Sequence, residues 1–240
     1  MNLIIDSGNS AAKVGIFNHR KLIEKFTFYN VEDLRRFVQS AKYSNAMIGS
    51  VKADGETIAS FVPGNVRIFV MKKDLPLPIT NLYKTPDTLG VDRLAGVCGA
   101  IQLFPSFNNL VIDAGSCITY DVIDKKARYH GGGISPGLNM RFRAVHTFTA
   151  KLPLVSAKAG VGLIGDNTES SIQSGVVNGV IAELEGIIRQ YETNFPGLKV
   201  ILCGGDAGFF ENQLKASIFA VPDLVLIGLN SILLYNVSLS

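Results

Sequence analysis

A short pattern occurs twice in this 240-residue chain. Leu3-Ile4-Ile5-Asp6-Ser7-Gly8-Asn9-Ser10 and Leu110-Val111-Ile112-Asp113-Ala114-Gly115-Ser116 each run apolar strand, Asp, small residue, Gly, hydroxyl residue. The two aspartates lie 107 positions apart, close to half the chain. Each copy is followed by a strand, a polar turn and another strand. In the first copy these are Lys13 to Phe17, Asn18-His19-Arg20, and Leu22 to Phe28. In the second they are Ile118 to Ile123, Asp124-Lys125-Lys126, and Ala127 to His130. Further strands are expected over Ala46 to Val51, Val66 to Val70 and Lys199 to Cys203, the last broken by Gly204-Gly205-Asp206. A helix is expected over Val31 to Ser40, capped by Asn30, with Asp33 at the capping-box position and Val31, Leu34, Phe37 and Val38 on one face. Others are expected over Glu56 to Phe61, Leu94 to Phe104 (stopped by Pro105), Leu138 to Phe148, Thr168 to Tyr191 and Leu224 to Leu234. The chain thus reads as α/β, with two similar halves, 1–106 and 107–240, packed closely around a cleft.

Composition excludes several classes. Hydrophobic residues make up 47% and charged residues 18%, with mean hydropathy +0.26, which argues against disorder. A net charge of +3 gives no reason to expect nucleic acid or a membrane surface as partner. The longest apolar stretch, Val221 to Leu234, is interrupted by Pro222, Asp223, Gly228, Asn230 and Ser231, and falls short of the ~18–20 residues of a membrane span. Asp6 interrupts the apolar start and no basic segment precedes it, so no signal peptide is expected. Cys98, Cys117 and Cys203 are odd in number and widely spaced, and read as reduced thiols in a cytoplasmic protein.

The repeated motif suits phosphate chemistry. A carboxylate at a strand end followed by Gly makes a tight hairpin whose successive N–H groups form an anion nest. Ser10 and Ser116 add hydroxyl donors, Lys13 adds a positive charge, and Asp6 and Asp113 can hold cations. Facing one another, two such turns could clamp a triphosphate; each taken singly is also explained as an Asx turn. The P-loop, dinucleotide and protein-kinase signatures are absent. Gly133-Ile134-Ser135-Pro136-Gly137 imitates a nucleophile elbow, but Pro136 lacks the N–H that an oxyanion hole needs there. Gly131-Gly132-Gly133 with Pro136-Gly137 reads as a strand-to-helix loop, set near a ligand or serving only as a tight connection. His19, His130 and His146 have no partner at ligand spacing and are taken as non-catalytic. The densest polar stretch runs from Tyr83 to Arg93, just before a helix. There Asp92 could accept a proton from a substrate hydroxyl or simply cap the helix, and Arg93 could fork onto a carboxylate or phosphate.

Taken together, these motifs resemble those of type III pantothenate kinases, within the superfamily of acetate and sugar kinases, Hsp70 and actin. The resemblance spans nearly the whole chain. It rests on Asp6-Ser7-Gly8-Asn9-Ser10, Gly90-Val91-Asp92-Arg93 with Tyr83 upstream, and Asp113-Ala114-Gly115-Ser116. Gly132 to Gly137, Asn167-Thr168 with Gln173-Ser174-Gly175, and Gly204-Gly205 extend it. Ser10 and Ser116 stand where Thr is common, and Cys117 and Ile118 replace more usual small and Thr residues. The resemblance implies two ribonuclease H-like halves and ATP-dependent phosphorylation of pantothenate, the first step of coenzyme A synthesis. It further implies Asp92 as general base, with Tyr83, Gly90, Val91, Asp92, Arg93 and Thr168 on pantothenate. Asp6, Ser7, Gly8, Asn9, Ser10, Ala11, Ala12, Lys13 and Ser116 would contact ATP, with Asp6 near its Mg²⁺. Asp113 would hold a potassium or ammonium ion, and the protein would be a homodimer. Two alternatives share the fold: a nucleotide-binding regulator without turnover, and a superfamily member acting on another small hydroxylated acid or as a phosphatase.

Overall fold

The computed structural model describes all residues of 1–240 except 9, 41, 51, 53, 73 and 240. Asn9 of the first motif and Val51 at an expected strand end therefore lie outside the described residues. The chain forms two compact units, one of 1–106, 126–130 and 223–240, the other of 107–125 and 131–222.

In the first unit, β1 (Asn2–Ser7), β2 (Ala12–Asn18), β3 (Lys21–Phe28), β4 (Asn45–Ser50) and β5 (Arg67–Val70) form a sheet of order β3-β2-β1-β4-β5. The β1–β2 and β2–β3 pairs are antiparallel, whereas β1–β4 and β4–β5 are parallel. Crossovers are made by α1 (Val31–Ser40) and α2 (Gly55–Ala59). Strand alternation sends Leu3, Ile5, Val14, Ile16 and Ile48 into one core with Leu34 and Val38 of α1. At the start of α1, Asn30 Oδ1 accepts from the Asp33 N–H at 2.9 Å and the two side chains bond at 2.6 Å. Val31, expected on the buried face, is instead exposed, because Phe37 stacks on Phe26 and Phe28 and completes that face without it.

Two further helices complete this unit. Helix α3 (Val91–Leu103) begins three residues before the expected Leu94, with extended Gly90 as its N-cap. Its polar first turn precedes the apolar periodicity that the sequence reading relied on. The last helix of the chain, α7 (Leu224–Ser238), packs along α3 and against β1 and β4. Small residues let the two backbones meet: a Cβ on Gly99 would fall on the Leu224 carbonyl, and one on Gly228 on the Ala95 carbonyl. Buried Asn230 ties α7 to the sheet, accepting from Asn2 Nδ2 at 3.0 Å and donating to the His19 carbonyl at 2.8 Å.

The second unit repeats the strand order. Strands β7 (Asn109–Ala114), β8 (Cys117–Ile123), β10 (Lys199–Cys203) and β11 (Phe219–Ala220), with β9 (Arg128–Pro136), run in the order β9-β8-β7-β10-β11. Again the first hairpin, β7–β8, is antiparallel, while β7–β10 and β10–β11 are parallel. Strands β1 and β7 even share a burial sequence: four buried residues, a half-buried Asp, one buried residue. The opening of β9 groups with the first unit, where two-residue β6 (Thr80–Asn81) pairs with Arg128–Tyr129. Strand β9 runs through Gly131-Gly132-Gly133, where a loop was expected. A Cβ on Gly132 would land on the Tyr120 carbonyl, so glycine there permits close strand approach instead of breaking the strand. Helices α4 (Leu138–Thr147), α5 (Thr168–Asn194) and α6 (Ala207–Glu211) complete the unit, and Phe142, Val177, Leu184 and Phe210 pack with Leu110 and Ile112 in its core. Among the described residues, no helix is long and apolar enough to cross a membrane.

Candidate active site

The first motif forms the β1–β2 hairpin. Ser7 pairs with Ala12, and the Gly8 N–H donates to the Ala11 carbonyl at 3.1 Å. Half-buried Asp6 stands opposite Lys13 in the antiparallel register and beside Gly49 in the parallel one. Lys13 and Ser10 are exposed at the rim of the hairpin. The buried Ser7 hydroxyl donates to Asp54 Oδ2 at 3.3 Å, and the Ser50 hydroxyl donates to Asp54 Oδ1. Asp54 stands at the N-cap position of α2, and through these two bonds it fastens the ends of β1 and β4 together. Sequence reasoning missed it; its signal was a carboxylate one residue before a short helix.

The second motif forms the tighter β7–β8 hairpin, in which the Gly115 N–H donates to the Cys117 carbonyl at 3.0 Å. Asp113 stands opposite Thr119 and beside Cys203. Two glycine segments press on this turn. On one side, the Gly137 N–H donates to the Ser116 carbonyl at 3.2 Å, and a Cβ on Gly137 would strike the Gly115 and Ser116 carbonyls. On the other, Gly204 adopts φ +96°, and a Cβ there would strike the Ala114 carbonyl and Asp113 Oδ1. The next anchor is the Asp206 N–H, which donates to the Ala114 carbonyl at 2.8 Å. Asp206 stands at the N-cap position of α6 as Asp54 does of α2, a correspondence that continues the repeat beyond its hairpin. Burial raises the Asp206 carboxyl above the usual carboxylate range.

Tyr83, Gly90, Val91, Asp92 and Arg93 gather in the first unit. Arg93 is 8% exposed, and its guanidinium lies 5.6 Å from the Tyr83 ring centre. Tyr83 stacks in turn on buried Tyr129, with ring centres 6.2 Å apart. The half-buried Asp92 carboxylate accepts from the Arg93 N–H at 2.9 Å. It also leans over Gly90, where any Cβ would meet Asp92 Oδ1. Gly90 is thus the residue that leaves room for the carboxylate. The N-cap position is held by Gly90, while Asp92, in the first turn, accepts a helix-start N–H. Thr168 is exposed as the first residue of α5, preceded by a capping box in which Asn167 Oδ1 accepts from the Ser170 N–H at 3.0 Å. The helix-start N–H groups there favour an anion.

The groups set aside in the sequence have structural employment. Ser135 of the elbow-like segment receives a hydrogen bond from Arg141 Nη2 at 2.7 Å. His146 Nδ1 donates to the Leu152 carbonyl at 2.7 Å, and His19 sits in a turn with φ 53°. All three cysteines are free thiols. Among the described residues, no group of three or more His, Cys, Asp and Glu side chains is placed to hold a metal.

Comparison with known proteins identifies the family. The sequence profile of type III pantothenate kinase matches residues 2–190. A type III pantothenate kinase from Phocaeicola vulgatus is 47% identical over 98% of this chain and 99% of its own. Among solved structures, one described as a Baf family transcriptional activator from Campylobacter jejuni superposes with TM-score 0.68 at 21% identity, covering 98% of this chain and 99% of that one. An inorganic polyphosphate/ATP-glucomannokinase from Arthrobacter gives TM-score 0.51 at 13% identity, covering 98% and 100%. At these identities the structural likenesses speak for the fold, that of two ribonuclease H-like halves.

Proposed function

The chain belongs to the type III pantothenate kinase family, and we propose that it transfers the γ-phosphoryl group of ATP to the hydroxyl of pantothenate, yielding 4'-phosphopantothenate and ADP at the start of coenzyme A synthesis. The observation that carries the residue assignment is the Asp92 carboxylate, seated over Gly90 at the start of α3 beside Arg93 and Tyr83. A carboxylate so placed takes the proton of the acceptor hydroxyl as the oxygen attacks phosphorus. Arg93, buried yet presented next to it, forks onto the pantothenate carboxylate. Tyr83, Gly90, Val91 and Thr168 complete the pantothenate contacts. Phosphoryl transfer asks chiefly for in-line positioning and neutralised charge. Residues 6–13 and the Ser116 turn serve these needs by binding phosphate.

The donor sets suit the expected cations. Asp6 offers a carboxylate at a strand end for the Mg²⁺ that accompanies ATP. Asp113 sets a carboxylate beside the carbonyls of the turn that Gly137 and Gly204 press on, oxygen donors of the kind a potassium or ammonium ion takes. Bound there, such cations supply charge to offset the phosphates. The reading extends to two halves, 1–106 and 107–240, and to a cytoplasmic homodimer. A second copy would cover Phe148, Leu163 and Ile164, which are 82–88% exposed in the second unit.

An assay coupled to ADP release tests this reading. ADP formation is expected to require pantothenate and to rise on adding K⁺ or NH₄⁺. ATP binding without pantothenate-dependent ADP would overturn it in favour of a regulator.

A further inference from the structure

Next to the second aspartate-glycine turn, a polar cluster joins four elements of one unit, β8, β9, α4 and α5. Glu183, in the middle of α5, receives the Tyr120 hydroxyl on Oε1 at 2.7 Å and Arg141 Nη2 on Oε2 at 2.6 Å. The same guanidinium donates from Nη2 to Ser135 Oγ at 2.7 Å and from Nε to the Pro136 carbonyl at 2.9 Å. Ser135 also hydrogen-bonds to Glu183. The fork of Arg141 is therefore spent on two consecutive residues of the β9–α4 connection. The residue after them, Gly137, is the one whose N–H donates to the Ser116 carbonyl.

The geometry points to Glu183 as a positioning residue: through Arg141 it fixes residues 135–137, and through Gly137 it sets the Ser116 turn against the phosphates of ATP. This inference rests on the proposed role of Ser116. The cluster is only partly screened, with side chains of Arg141 and Glu183 23% and 27% exposed. Burial alone would raise the Glu183 carboxyl, but hydrogen bonds from Ser135, Arg141 and Tyr120 outweigh it and hold it below the usual range. Tyr120 itself is 4% exposed and its phenol is pushed up, first by burial and then by the bond to Glu183, so it serves as a fixed donor. An apolar brace could close the core equally well; a charged fork adds direction, since only a planar guanidinium serves Ser135, Pro136 and Glu183 together.

Steady-state kinetics on the full-length protein test the proposal. Glu183→Gln keeps the shape and an acceptor for Tyr120 but removes the charge that orients Arg141. It is expected to raise KM for ATP about tenfold, the cost of one charged hydrogen bond, with KM for pantothenate unchanged. Arg141→Lys, which keeps the charge and loses the fork, is expected to behave alike, and serves if the first variant does not fold. Ser116→Ala is the reference. If Ser116→Ala raises KM for ATP and neither cluster variant does, the positioning role falls alone. If neither Ser116→Ala nor either cluster variant changes KM for ATP, the nucleotide role of that turn falls, and the positioning role with it. A cluster variant that only lowers Tm, with both KM values intact, marks mere scaffolding and also overturns the proposal.

Discussion

Asp92→Asn is expected to lower kcat by about 10²–10⁴-fold, the usual worth of a general base. KM for ATP should stay within a factor of about two, because nothing in the nucleotide hairpins depends on this side chain. The substitution is a clean one for physical reasons. The asparagine Oδ1 still accepts from the Arg93 N–H, now 2.9 Å from the carboxylate, so the first turn of α3 is retained. Its amide occupies the same space over Gly90, where a Cβ would intrude. What disappears is the capacity to take a proton. Undiminished kcat in this variant would remove Asp92 from the chemistry and leave it as a positioning group for Arg93.

The second large effect concerns how α3 is held. Gly228→Ala is expected to cost about 2–4 kcal/mol of stability and to lower Tm by roughly 5–10 °C. The added methyl would overlap the Ala95 carbonyl oxygen and carbon and crowd the Gly99 nitrogen. All three are backbone atoms, so no side chain can swing aside; the helices must separate. Gly99 faces the Leu224 carbonyl in the same contact, so separation unseats packing along the whole pair. Because Asp92 and Arg93 stand in the first turn of α3, activity should fall with stability. Gly179→Ala in α5 makes the contrast. It has nothing within 4 Å of its ideal Cβ, and is expected to stabilise by about 0.5–1 kcal/mol through helix propensity. Thermal melts that show equal shifts for the two substitutions would refute the close α3–α7 contact.

Much of the fold was legible because the repeat is local. Apolar runs ending in Asp, small residue and Gly mark a strand and its turn without help from the rest of the chain, and both copies form hairpins with the same burial sequence. The identical strand orders follow from that repetition. Helix α3 was misjudged at its start, since Val91-Asp92-Arg93 form a polar turn that apolar periodicity does not see. Gly131-Gly132-Gly133 was misjudged in kind: whether glycines break a strand or admit a neighbour depends on Tyr120, which lies far enough away in sequence to leave no local trace. Strands β6 and β11 have two residues each, too few for any period. The motif residues of the site were readable as types. Their supports were not, because Ser7–Asp54 and Arg141–Glu183 are 47 and 42 positions apart and pair only once the sheets and helices exist.

We propose that Asp92 receives the proton of the acceptor hydroxyl and that the Gly8 and Ser116 turns each bind phosphate of ATP. A crystal structure with pantothenate and a non-hydrolysable ATP analogue tests it most directly. Phosphate oxygens are expected on backbone N–H groups of the Gly8 turn and of the Ser116 turn, and the acceptor hydroxyl within about 3 Å of an Asp92 carboxylate oxygen. A triphosphate held by one turn alone, or a hydroxyl out of reach of Asp92, would contradict it.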